Sequence, residues 1–441
     1  MALTDKEKED INRAIYEYLV NQGFEKTSDT FKEECPSQVT RSAPSEQPNI
    51  LARKWVTIVS LNKKILQLEQ ENAVFKEELK SVSVMKKTTA NKEETENFFP
   101  KGPPKHTFSG HKDAVDKVAM HPMYMQLASV GEKDEMIKLW DYEALKYEGG
   151  LKGHTEKIKD ISYDPTGSYL ASGAADMLVK VWDLNAKTCI KTFTGHDHTV
   201  NCVRWKSTGD FILSASSDCS VKLWELATGF CVRTFRGHEK WIRHVEFNTS
   251  CNKFASASDD GTVMLWDYNK EASQNTLYGH STVVECVIFV NSLEGKKAIN
   301  EAKYNPEGKA AIEASLSEIE KSKKKLQEKN TTEDLSLLEF LISGSRDKTI
   351  RIWSGQTGNT LLVIEAHAMW IKSVNIHHSQ KYFYSTSEDK TIKTWSLGTG
   401  KMQSRIEGAH DNFINCIASH PAYLFVATCS TDKTVKLWEC R

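Results

Sequence analysis

Histidine and aspartate are the usual general bases and metal ligands of proteins, and this chain sets seven of each on one register. His111, His154, His196, His238, His280, His367 and His410 are each followed by an aspartate: Asp134, Asp176, Asp218, Asp260, Asp347, Asp389 and Asp432. Six positions after each aspartate stands a tryptophan: Trp140, Trp182, Trp224, Trp266, Trp353, Trp395 and Trp438. The tryptophans lie 42, 42, 42, 87, 42 and 43 residues apart, the long gap being one 42-residue period with 45 residues added. A site that moves protons or binds a metal needs one such constellation, whereas seven in register belong to a repeated structural unit. Their expected chemistry is hydrogen bonding inside that unit, so none is assigned as a catalytic residue or metal ligand. No glycine-rich phosphate loop, Gly-x-Ser-x-Gly elbow or His-Glu-x-x-His stretch occurs. The ten cysteines form no Cys-x-x-Cys, so neither a zinc site nor a disulfide framework is indicated, and no cofactor is expected.

Composition excludes further classes. The 58 basic and 59 acidic side chains leave a formal net charge of −1, which gives no reason to expect direct nucleic-acid binding. No apolar run reaches the roughly 18 residues of a membrane span. Residues 1–10 are polar and charged, unlike a signal peptide, and a reduced cytosolic setting fits best.

The unit itself is legible in the third copy. Residues 200–205 alternate, 211–216 are a short apolar run, 221–224 alternate again, and 231–235 close the unit, with Thr208-Gly209-Asp210 and Thr228-Gly229 as turns. Four strands per copy make a propeller blade. A period near 42 ending in Trp-Asp or a close variant resembles the WD40 repeat. Most copies also carry Ser or Thr ten positions before the Trp: Ser172, Ser214, Ser256, Ser343, Ser385 and Thr428. His196, Ser214, Asp218 and Trp224, like His238, Ser256, Asp260 and Trp266, resemble the buried tetrads of WD40 blades, whose polar groups satisfy one another. In the first copy one extra residue shifts Ser129, which leaves that tetrad open. After Trp438 only Glu439-Cys440-Arg441 remain, while Thr107-Phe108-Ser109-Gly110-His111 matches the ends of blades two and three. The N-terminal side is therefore predicted to supply the last blade's outer strand and so hide both sheet edges. The expected fold is an all-β seven-bladed WD40 propeller over 105–441, preceded by α-helical dimerisation elements.

Those elements occupy the first hundred residues. Ile11, Ile15, Tyr18 and Leu19 recur at helical spacing before Gly23, and Phe24, Thr27 and Phe31 form a second amphipathic segment. Together with Glu33-Glu34 they resemble the LisH motif over 1–39, a helical module too short to bury its apolar face alone. Ile58, Leu61, Ile65, Leu68, Asn72, Phe75 and Leu79 alternate as a and d positions of a coiled coil over 50–82, with Asn72 at an a position favouring two strands in register. Residues 83–104 read as a flexible linker. The extra residues of blade five, about 291–336, carry Ile312, Leu316, Ile319 and Leu326 beside a lysine run and read as a solvated helical excursion.

Function should then lie on a face of the disc. Loops before the first strand and between the second and third strands open on one side, and the blade-five insert opens on the other. Three residues after each repeated histidine stand Ala114, Lys157, Thr199, Trp241, Val283, Trp370 and Phe413. The fold asks for no large apolar group there, so the aromatics of blades four, six and seven read as anchors. Arg346, Lys348, Lys390 and Lys433 lie around the aspartate turns of blades five to seven, with Arg243 and Lys372 placed in the neighbouring loops. Aromatic anchors ringed by cations suit an acidic protein partner.

LisH motif, short coiled coil, linker and seven blades, in this order, resemble the lissencephaly-type regulators of cytoplasmic dynein, also called the nuclear distribution protein family. The phrases Ser343-Gly344-Ser345-Arg346-Asp347-Lys348-Thr349-Ile350 and Val435-Lys436-Leu437-Trp438-Glu439-Cys440-Arg441 match as well. The resemblance implies a non-catalytic homodimer that binds the dynein motor domain through the face carrying Arg243, Arg346, Trp370 and Lys390, with Trp241 and Lys372 beside them. It further implies relief of autoinhibition, NudE-type coiled-coil adaptors, and in animals the catalytic subunits of platelet-activating-factor acetylhydrolase as partners. The implied setting is cytoplasm, microtubule cytoskeleton and centrosome, in nuclear migration and mitosis. Ser217 departs from the family, which is basic there, and the blade-five insert is unusually long. The alternative is a scaffold of a chromatin corepressor or ubiquitin ligase. It would call for a nuclear signal or a ligase-docking motif in the linker, and neither is recognised.

Overall fold

The computed structural model describes residues 98–248, 250–270, 273–300 and 338–441, together with Tyr16, Leu19, Lys26, Thr27 and Thr30. Two compact units divide the chain, Met1–Lys92 and Glu93–Arg441. In the first unit the five described residues are helical, with Tyr16 and Leu19 half-buried and the other three exposed. Ile15, Phe31 and the heptad from Ile58 to Leu79 lie outside the described residues.

The second unit is built of seven four-stranded antiparallel sheets. Residue pattern explains each strand's place. In blade three the second strand, Phe211–Ser216, is buried from Ile212 onward, because neighbouring blades cover both of its faces. Only small or apolar side chains fit there. The third strand, Ser220–Glu225, buries Val221 and Leu223 but leaves Lys222 half-exposed. Closure is as the sequence predicts: His106–Ser109 pairs antiparallel with Thr434–Glu439, placing Phe108 opposite Val435. Burying that phenyl ring stabilises the ring closure by about 2 kcal/mol.

One regularity was hidden in the sequence. In every blade the first strand slips by one residue against the second. In blade three Val200 faces Ser216 and Cys202 faces Ala215, so Asn201 is bulged out. The same slip bulges Asp116, Lys159, Arg243, Glu285, Lys372 and Asn415. A bulge re-aims the side chain it frees, and these seven residues, with Lys117, line a cavity of about 160 Å³ on the propeller axis. Arg243 and Lys372 are thus strand residues on bulges, not loop residues as the spacing had implied.

Two expectations change on the opposite side. Phe98–Pro100, assigned to the flexible linker, is docked on the propeller. His377 Nε2 donates to the Phe98 carbonyl at 2.9 Å, Phe99 packs edge-on against Tyr382, and Pro100 bridges to Cys440. An aromatic pair has no periodicity to reveal such docking. The insert is likewise not all solvated. The helix Leu293–Asn300 buries Gly295, Lys296 and Ile299. Ile299 joins a core cluster with Leu338 of blade five and with Phe383, Trp395 and Leu397 of blade six. Residues 312–326 lie outside the described residues.

Candidate protein-binding face

The repeated polar residues meet as tetrads in all seven blades. In blade three, His196 Nδ1 donates to Asp218 Oδ2 at 2.6 Å, Ser214 Oγ donates to His196 Nε2 at 2.7 Å, and Trp224 Nε1 donates to Ser214 Oγ at 2.7 Å. Blade four repeats this through His238, Asp260, Ser256 and Trp266 at 2.7–2.8 Å. Blade one, left open above, is complete: His111 reaches both Asp134 and Ser129 at 2.6 Å, and Trp140 donates to Ser129 at 2.7 Å. Its extra residue is taken up in the turn between Ser129 and Asp134.

Connectivity here is that of an Asp–His–Ser hydrolase triad, but the tetrad serines from Ser129 to Ser385 are fully buried. Each also accepts the indole N–H, so its lone pairs point into the blade. Burial works to raise the Asp218, Asp260 and Asp347 carboxyls, yet hydrogen bonds from the histidine and the following Ser or Thr outweigh it and hold them well below the ordinary range. Among the described residues no group of three or more His, Cys, Asp or Glu is arranged to hold a metal.

On the face formed by the histidine loops and aspartate turns, Trp241 and Trp370 are 46% and 41% exposed. Each indole is covered on one side by a guanidinium: Arg346 lies 4.5 Å from the Trp370 ring and Arg243 5.4 Å from Trp241. Lys372 adds a second cation 5.5 Å from Trp370. What sequence reasoning missed is the carboxylates. Glu285 accepts from Arg346 Nε at 2.6 Å and lies 3.6 Å from Lys372, which also approaches Glu388 at 3.3 Å. Asp259 takes Arg243 in a two-pronged pair at 2.5 and 2.7 Å. Burial tends to raise the Glu285 carboxyl, but Lys372 and Arg346 outweigh it and keep it lowered. The cations nearest the indoles are therefore fixed and locally neutralised, a platform rather than free charge. The bulge position was the available signal, since Arg243, Glu285 and Lys372 share it. Lys390 stands apart, its Nζ donating to the Asp411 carbonyl at 2.7 Å. Ser217 is buried and bonds Asn201, so blade three presents no cation there.

Deeper on the axis a second cavity, about 360 Å³, holds Lys117, Asp160, Arg204, His244 and Glu246. Arg204 bridges Asp160 at 2.6 Å and Glu246 at 3.0 Å, so the charges there serve one another.

Comparison with known proteins agrees with this architecture. The family described as WD domain, G-beta repeat matches residues 102–141, 145–183, 187–225, 229–267, 334–354, 358–396 and 400–439. The chain belongs to the WD40-repeat family. A PAC1 LisH domain also matches residues 5–40. The chain is 32% identical over 171 residues to the Nuclear distribution protein PAC1 of Coccidioides posadasii (strain C735), covering 38% of this chain and 36% of that one. It is 32% identical over 170 residues to the Lissencephaly-1 homolog of Caenorhabditis briggsae, covering 38% and 42%. The matched stretches thus span less than half the length of these curated relatives.

Proposed function

We propose that this WD40 propeller is the partner-binding part of a non-catalytic, homodimeric regulator of cytoplasmic dynein. It engages the motor domain through the face carrying Trp241, Arg243, Arg346, Trp370, Lys372 and Lys390. The observation that carries the reading is a pair of half-exposed indoles with guanidinium groups packed on them, set on rigid strand ends. Trp and Arg are enriched among the few residues that carry most of the binding energy at protein interfaces. The PAC1 and Lissencephaly-1 names of the relatives and the LisH match support the same family of regulators. In this reading the protein works in the cytoplasm on microtubule-based transport, nuclear positioning and mitosis, with NudE-type adaptors as further partners.

The test is titration of purified dynein motor domain with the full chain and with Trp370→Ala. Truncating a central Trp anchor typically costs about 2 kcal/mol or more, so binding should weaken at least tenfold while the melting curve is unchanged. Equal affinity for both proteins would move the partner surface elsewhere.

A further inference from the structure

The residue after each first-strand bulge pairs again with the second strand. In blades three, five and seven it is a cysteine: Cys202 faces Ala215, Cys286 faces Gly344 and Cys416 faces Cys429. The repeat thus carries its own controls, since of these three thiols only Cys416 has a second thiol opposite. Directly opposed residues of antiparallel strands have Cα atoms about 4.5–5.5 Å apart, within the roughly 4.4–6.8 Å that a disulfide bridges. Both cysteines lie in the apolar cluster that blade seven shares with Val118 and Leu127 of blade one. Cys416 also lines the axial cavity of about 360 Å³, as Lys117 does. It is 7% exposed, against 1% for Cys202 and 3% for Cys286.

Electrostatics separate the three thiols in the same way. Burial pushes Cys286 up to about 12 and raises Cys202 as well. At Cys416 a hydrogen bond from Cys429, helped by the charge of Lys117, outweighs burial and lowers the thiol. Burial and that same bond raise Cys429. The nucleophilic form of a cysteine is its thiolate, so Cys416 attacks and Cys429 resolves. We propose that Cys416 and Cys429 are a redox modification site, oxidised by hydrogen peroxide in the axial cavity to a disulfide that staples two strands of the ring-closing blade. The Cys416 thiolate attacks one peroxide oxygen and the O–O bond breaks. The departing hydroxide takes the proton that Cys416 released and leaves as water. Cys429 sulfur then attacks the sulfenic sulfur of Cys416, the S–O bond breaks, and a second water leaves with the Cys429 proton. Two thiols together lose two electrons and one peroxide gains them. In a reducing cytosol such a bond is transient, a switch rather than a framework. None of these groups belongs to the proposed partner face.

The test exposes the folded full chain to sub-millimolar hydrogen peroxide, then denatures it, alkylates the remaining thiols and digests with trypsin. Both cysteines fall on one tryptic peptide, residues 406–433, because no Lys or Arg intervenes. That peptide should turn up unalkylated and two hydrogens lighter, at least about tenfold faster than Cys202 or Cys286 loses its thiol. Dithiothreitol should restore it. Cys429→Ala copies Ala215 of blade three, so its melting temperature should hold while Cys416 is trapped by dimedone as a sulfenic acid. Cys416→Ser copies Ser373 of blade six and should leave Cys429 unreacted. Loss of Cys202, Cys286 and Cys416 at one rate would overturn the site. So would oxidation of Cys416 to a sulfinic acid with Cys429 still free. The wild-type comparison decides the matter even if a variant fails to fold.

Discussion

At the scale of single residues, the same three side chains mean catalysis or architecture according to what surrounds them. Asp347 shows the architectural case. It accepts from His280 Nδ1 at 2.7 Å, from the N–H groups of Ser281 and Thr349 at 3.2 and 2.9 Å, and from the Thr349 hydroxyl at 2.6 Å. Asp347→Ala leaves these donors without their acceptor, and each unsatisfied buried group costs about 1–3 kcal/mol. The variant is expected to lower the urea midpoint and melting temperature sharply, although its neighbour Arg346 lies in the proposed interface. Trp370→Ala should do the reverse, and measuring stability and binding on both variants separates the two roles.

The tetrads also set a pH dependence. Burial lowers the His367 and His410 imidazoles and takes His111 to about 4. Between the ordinary histidine value near 6.5 and these lowered values, the unfolded chain binds more protons than the folded one, so stability falls as pH falls through that window. The depressed tetrad carboxyls of Asp218, Asp260, Asp347, Asp389 and Asp432 act in the same direction at lower pH. Their contribution is intact above the unfolded value near 4 and is lost below it. Urea midpoints should therefore decline below about pH 6.5 and drop more steeply below about pH 4. A flat profile from pH 7 to 5 would mean that the histidines are not held neutral by the fold.

At the scale of elements, period and alternation were visible in the sequence and bulges were not. The 42-residue spacing and strings such as Phe211–Ser216 name the blades and order their strands. A bulge, however, adds a residue without breaking the apolar pattern. Ile242, His244 and Val245 still pair with strand two, and only the register shows that Arg243 has left it. The carboxylates that fix the cations were missed because the partners are remote in sequence: Glu285 meets Arg346 across the blade-five insert and Lys372 from the next blade. Docking of the insert was missed for a related reason, since one buried isoleucine on an eight-residue helix leaves no periodic trace. That docking makes a prediction. Ile299 is fully buried against blade six, and Ile299→Ala should destabilise the propeller by about 3 kcal/mol. Replacing 301–337 with a short linker should leave both stability and motor-domain binding in place, because the insert opens opposite the indoles. Loss of binding on that deletion would put the partner on the insert side.

At the scale of the whole molecule, the propeller is closed by its own N-terminal strand, and the proposed dimer is placed in the N-terminal unit. Tyr16 and Leu19 are helical and half-buried within it, and the PAC1 LisH match covers residues 5–40. A helical module of that size cannot bury its apolar side alone, and the heptad from Ile58 to Leu79 is short enough to be marginal without it. In the proposed dimer the two elements support each other against the same partner chain. The full chain should therefore sediment at twice its 49.9 kDa mass at micromolar concentration. Removing residues 1–82 should give a monomer with an intact propeller melting curve, because Phe98–Pro100 and the closing strand remain. Asn72→Leu should raise the dimer's thermal stability while admitting higher oligomers, since the amide that selects two strands is gone. Two faces on one dimer also raise the effective concentration of the second contact. The truncated monomer should thus bind a paired motor assembly much more weakly than the dimer, yet bind an isolated motor domain with equal strength. A full chain that sediments as a monomer would remove the dimer and the avidity together.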